Sequence, residues 1–123
     1  MASNHNKIIN VAARKELKPL GLKRQGSSRI WIDDHGWWLI QVEFQPSSAS
    51  KGSYLNVGIG WLLLEKAYVS FDVGYRINTP FIGYETDQQF KPAAQKLAER
   101  ASIEVSKLRH DFQSLESAVQ MIN

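Results

Sequence analysis

The chain contains no cysteine. That absence removes disulfides, thiol nucleophiles, thiolate zinc sites and iron–sulfur clusters together, and it is compatible with the cytosol. Long apolar runs are missing as well. Trp37-Trp38-Leu39-Ile40 and Trp61-Leu62-Leu63-Leu64 are the longest, far below the roughly 20 residues that span a bilayer. The opening Met1-Ala2-Ser3-Asn4-His5-Asn6-Lys7 carries no apolar segment behind a basic one, so no secretory signal is read. The expectation is a soluble, cytoplasmic protein that does not engage a membrane.

Histidine is scarce, and its spacing excludes more. His5, His35 and His110 stand far apart, with no HxH, HxxxH or HExxH pattern for a metal. His35 follows Asp33 and Asp34, but aspartates and a glycine in a tight turn serve the backbone first. No GxSxG elbow is present. Gly58-Ile59-Gly60 is a lone GxG inside a strand pattern rather than a phosphate loop. His110-Asp111 looks like an orienting pair, yet adjacent residues of a helix do not face each other. No metal, cofactor or catalytic residue is expected from these patterns.

What is present is ordinary globular material. Of 123 residues, 43% are apolar and 22% charged, enough for one core and too apolar for disorder. Neither repeats nor a linker interrupt the chain, which reads as a single α+β domain over 1–123. Charge is unevenly spread. Residues 1–32 hold seven basic side chains against Glu16 alone, a net +6, whereas residues 33–123 hold eight basic and eleven acidic, a net −3. A basic first quarter suggests either a solvated helix face or an anionic partner.

Residues 5–18 read as a helix. Ile9, Ala13, Leu17 and Leu20 make an apolar stripe, Lys7, Val11, Arg14 and Lys18 lie opposite, and Pro19 and Gly21 end it. Residues 28–75 read as sheet: strands at 28–32, 37–45, 54–64 and 68–75, rich in aromatic and β-branched residues and joined by short polar turns. Such connections imply an antiparallel meander of four or five strands. Residues 87–110 read as the main helix, with Thr86 and Gln89 as a capping box. Its stripe of Phe90, Ala94, Leu97, Ala101, Val105 and Leu108 continues in phase to Ile122. A helix of that length would reach about 54 Å, so a break is expected near His110-Asp111. The rival is one long helix that dimerises through its free half. Both helices are expected on one face of the sheet.

Period-2 alternation assigns each strand residue to a face. The expected core set is Ile30, Ile32, Trp38, Ile40, Val42, Phe44, Leu55, Val57, Ile59, Trp61, Val69, Phe71, Val73 and Tyr75. The opposite face then carries Arg29, Trp31, Trp37, Leu39, Gln41, Glu43, Gln45, Tyr54, Asn56, Tyr68, Ser70, Asp72 and Arg76, with Gly58, Gly60 and Gly74 as a patch without side chains. Tryptophan and tyrosine beside arginine is interface composition.

The segments Leu17-Lys18-Pro19-Leu20-Gly21-Leu22-Lys23-Arg24-Gln25-Gly26, Val42-Glu43-Phe44-Gln45-Pro46-Ser47 and Leu55-Asn56-Val57-Gly58-Ile59 occur in this order around Trp31. Together they resemble a bacterial family known as domain of unknown function 4304. The likeness covers roughly residues 10–62, and Leu22 stands where that family usually has phenylalanine. The resemblance implies an α+β fold and a bacterial origin, and it brings no activity and no site residues with it.

Three functional expectations result. The first is a non-enzymatic protein-binding module that uses the aromatic–polar face formed by Arg29, Trp31, Trp37, Gln41, Glu43, Gln45, Asn56, Asp72 and Arg76, or the sheet edge, for a protein partner or a second copy of itself. The second is nucleic-acid binding through the basic patch Lys7, Arg14, Lys18, Lys23 and Arg24 with Trp31 and Trp37 stacking on bases. The third is a small-ligand protein or enzyme with Glu43 and Asp72 as acid and base.

Overall fold

The computed structural model describes residues 4–36, 38–61 and 73–122, with side chains throughout except at 61, 73–76 and 114–122. The expected turn at 65–67, the first half of the expected strand 68–75, and Trp37, Tyr68, Val69, Phe71 and Asp72 lie outside the described residues.

The N-terminal helix α1 runs His5–Leu17 and buries Ile8, Ile9, Ala12, Ala13 and Leu17. The chain tightens into a 3₁₀ turn at Lys18–Leu20 and stops at Gly21, whose φ of +90° lets Leu22 N–H reach back to Leu17 O at 3.2 Å. A residue with a Cβ would be strained there. Six strands follow among the described residues: β1 (Lys23–Arg24), β2 (Ile30–Asp34), β3 (Trp38–Gln45), β4 (Gly52–Trp61), β5 (Val73–Asn78) and β6 (Ile82–Gly83). Strands β1 to β5 form an antiparallel meander in chain order, and β6 pairs with the start of β4. The expected α+β meander with flanking helices is therefore what the chain forms.

One face of this sheet meets both helices. Trp31, Trp38, Ile40, Val42, Phe44, Leu55, Val57 and Ile59 share a single core with the buried side of α1 and with Phe90, Ala94, Leu97, Ala98, Ala101, Val105 and Leu108. Each large side chain fully withdrawn from water here stabilises the fold by about 1.5–3 kcal/mol. The buried alanines at 12, 13, 94, 98 and 101 let the helices approach closely.

Helix α2 spans Asp87–Ile122, 36 residues. The expected break at His110-Asp111 is absent. No glycine or proline follows Pro92 in this segment, and the apolar stripe stays in phase, so nothing local ends the helix. At its start Thr86 Oγ1 accepts from Gln89 N–H at 3.1 Å. The Gln89 side chain reaches back to Glu85 N–H at 2.9 Å rather than to Thr86.

The faces of β2 are reversed relative to expectation. His35 N–H donates to Trp38 O at 2.9 Å, closing the β2–β3 hairpin around two residues. Every odd-numbered residue of β2 therefore shares a face with even-numbered residues of β3, as Trp31 opposite Val42 and Asp33 opposite Ile40 confirm. Trp31 points into the core, and Arg29, just before the strand, lies on the same side. Ile30 and Ile32 are on the opposite face with Glu43 and Gln41. A second irregularity, between Val57 and Gly58, shifts the register of β4 against β5.

Candidate functional site

The aromatic–polar face does not assemble as expected. Trp31 is 3% exposed and lies within the helix-covered core, where it can neither meet a partner nor stack on a base. Arg29 leaves that face with it. What stays is polar: Gln41 and Asn56 are buried, Glu43 is half-buried and Gln45 is exposed. Asn56 Nδ2 donates to Gln45 Oε1 at 2.6 Å and to Glu43 Oε1 at 3.4 Å, so cross-strand hydrogen bonds occupy these side chains. Gly58 and Gly60 pair with Gln41 and Leu39 and are buried. Asp72 and Trp37 lie outside the described residues, and so does the side chain of Arg76.

The basic patch divides. Lys7 and Arg14 are exposed on α1, Lys18 is exposed in the 3₁₀ turn that follows, and Lys23 is exposed on β1. Arg24 folds inward: its Nε donates to Ser28 O at 2.7 Å and its Nη2 to Ser27 O at 2.8 Å, which holds the turn before β2. Two lysines absent from the expected patch join it. Lys15 lies on α1 and Lys91 on α2, and with Lys7 they border a groove of ≈ 370 Å³ that also takes in Ile8, Val11, Ala12, Asn4, Asp87 and Gln95. Val11 is 61% exposed among these cations. Among the described residues, no carboxylate forms an ion pair with Lys7, Arg14, Lys15, Lys18 or Lys91. Lys7, Val11, Arg14 and Lys18 were already aligned by their helical spacing. Lys91, some eighty positions away in the chain, carried no signal in the sequence.

The end of β2 holds a charged cluster that spacing alone does not reveal. Asp33 is buried, and both Arg109 Nε and His35 Nε2 donate to its Oδ2 at 2.7 Å. Burial by itself would push the Asp33 carboxyl up. The hydrogen bonds and charges of Arg109 and His35 outweigh it and hold the group below its ordinary value. Arg109 also donates through Nη2 to Leu20 O. The His35 ring stacks on Trp38 at 4.0 Å between centroids, and Phe112 meets the same indole at 5.3 Å. Asp34, one residue on, faces away and accepts from Gly36 N–H at 2.8 Å, the backbone role expected of it. The cluster joins the 3₁₀ turn, the β2–β3 hairpin and α2. Among the described residues no three His, Asp or Glu side chains converge for a metal ion.

No family model, curated protein or solved structure matches this chain. The class that fold and surface define is a two-helix, antiparallel-sheet α+β domain with a cationic helical groove. No helix among the described residues is long and apolar enough to cross a membrane.

Proposed function

We propose that this chain is a non-enzymatic protein-binding module of a bacterial cytoplasm, and that its contact surface is the groove between α1 and α2 rather than the sheet face. The observation that carries this reading is the exposed Val11 set among Lys7, Arg14, Lys15 and Lys91, none within ion-pair distance of a carboxylate, with Asp87 as the acidic residue of the groove, on which the Lys91 charge acts. An apolar floor with a cationic rim complements a protein segment that presents apolar and acidic side chains together. The unpaired charges steer the encounter, and Val11 with Ile8 and Ala12 supplies the desolvated contact.

Nucleic-acid binding is the second reading, supported by the same cations. It has less support than before, because the buried Trp31 takes away a stacking platform. Binding of a labelled acidic amphipathic peptide and of a single-stranded oligonucleotide, measured by anisotropy at low and physiological salt, separates the two. Val11→Asn is expected to weaken peptide binding roughly tenfold, about the value of one lost apolar contact, and Lys7→Glu with Lys15→Glu to abolish it. Oligonucleotide binding that ignores Val11→Asn and falls steeply with salt would replace the protein reading with the nucleic-acid one.

A further inference from the structure

Arg29 has an environment that protein interiors seldom impose on a charge. It is 9% exposed, yet each of its acceptors is neutral. Nε donates to Asn6 Oδ1 at 2.9 Å and Nη2 to the same oxygen, while Nη1 donates to Gly52 O at 2.9 Å and reaches Phe44 O at 3.5 Å. No carboxylate among the described residues pairs with it. A guanidinium carries five N–H donors, so one on Nη2 remains unused. Buried arginines are ordinarily matched by an opposite charge, because neutral acceptors satisfy the hydrogen bonds and leave the charge uncompensated.

Arg29 lines a cleft of ≈ 560 Å³ with His5, Asn6, Asn10, Ser27 and Glu43. His5 stands close enough to Arg29 and Lys51 for their charges to act on it. Asn10, half-buried, lines the same cleft. Glu43 is the acidic member of the lining, and it is engaged with Asn56 on the sheet. A buried cation beside imidazole and hydroxyl donors suits a phosphate group, whose several oxygens accept from all of them at once.

We propose that this cleft is a phosphate-binding site in which the ligand is the counter-ion of Arg29. His5 and Ser27 donate to its oxygens. This site is separate from the groove between α1 and α2 and does not depend on the reading given to it.

The test uses the full chain and inorganic phosphate, with acetate and chloride at matched ionic strength as references. Amide and Arg Nε–H resonances are followed by NMR. Phosphate is expected to shift Arg29 Nε–H and the amides around Asn6, Asn10 and Ser27 saturably, acetate to act more weakly and chloride not at all. Burial, Arg29 and Lys51 depress the His5 imidazole below its ordinary range, so an anion beside it moves His5 titration back upward. His5→Gln, at a half-buried position, keeps the fold and is expected to weaken phosphate roughly tenfold through loss of a charge-assisted hydrogen bond. Arg29→Met abolishes the shifts, and if that variant does not fold, the His5→Gln titration decides. Equal shifts from phosphate and chloride would overturn the proposal. So would phosphate shifts confined to Lys7, Lys15 and Lys91, since that pattern places the anion on the other groove.

Discussion

Arg29, just before β2, and Asp33, within it, are four residues apart on one side of the sheet, and both are almost wholly withdrawn from water, at 9% and 7% exposed. Their surroundings differ in one respect. Asp33 is met by Arg109 and His35, whereas Arg29 is met by an amide oxygen and two backbone carbonyls. At Asp33, burial and pairing have been solved together, and the result is a lock that ties α2 to the hairpin. At Arg29 all but one of the N–H donors are taken by neutral acceptors, and no carboxylate among the described residues pairs with the charge. The same physical operation, burying a charge, is matched by an opposite charge at one end and by neutral acceptors at the other.

The largest expected effect comes from breaking the lock. Arg109→Leu leaves Asp33 with His35 alone and is expected to lower the unfolding free energy by about 3 kcal/mol at neutral pH, read by urea denaturation. A loss below about 1 kcal/mol would mean that the pair is no stronger than a surface one. The wild-type pair also has a pH signature. Because the Asp33 carboxyl is held below its ordinary value when folded, its contribution is complete above the unfolded-state carboxyl range and is lost as pH falls through the lower, folded value. Unfolding midpoints measured on descending pH should therefore decline in the acid range, and less steeply in Arg109→Leu.

Next comes the backbone beneath Arg29. Gly52 has φ +144°, and a Cβ there would stand 2.1 Å from Ile82 O. Gly52→Ala is expected to cost about 2–3 kcal/mol and to disturb the carbonyl that anchors Nη1. A thermal scan showing no loss would mean that β6 can move aside freely. Arg29→Met sharpens the contrast directly. It removes donors from three neutral acceptors but leaves no charge stranded, so about 1–2 kcal/mol is expected, clearly less than for Arg109→Leu. Equal losses in the two variants would erase the distinction between the strand ends. The smallest effect belongs to Asp34→Ala, about 0.5 kcal/mol. That carboxylate is exposed and caps one turn amide, and a loss as large as the Arg109 variant's would show that the hairpin turn, rather than the buried pair, holds this end together.

The helices were legible because their apolar stripes are long and unambiguous: Ile9, Ala13 and Leu17 in α1, and Phe90 through Leu108 in α2, all buried. The meander was legible from short polar connections. The faces of β2 were not. Its alternate residues are Trp31 and Asp33 on one side and Ile30 and Ile32 on the other, so both sets contain large apolar side chains and period-2 reading favours the wrong one. The closing hydrogen bond between His35 and Trp38 decides the matter, and a one-residue difference in a hairpin turn exchanges every side chain between core and exterior. The expected break in α2 failed for another reason. It rested on the size of the domain, whereas a helix ends only where local chemistry or packing ends it.

By itself, then, the sequence determined the two helical segments, the strands β2 to β4 and their order, and the absence of thiol chemistry, since these follow from local periodicity and composition, whereas the short strands β1 and β6 left no periodic signal. It also aligned Lys7, Val11, Arg14 and Lys18 on one side of α1. Tertiary structure alone decided that Trp31 is core rather than surface, that Arg109 meets Asp33 across 76 residues, that Lys91 completes the groove, and that Arg29 is buried without a counter-charge. Each of these depends on register or on long-range packing, and neither is encoded in the spacing of neighbouring residues.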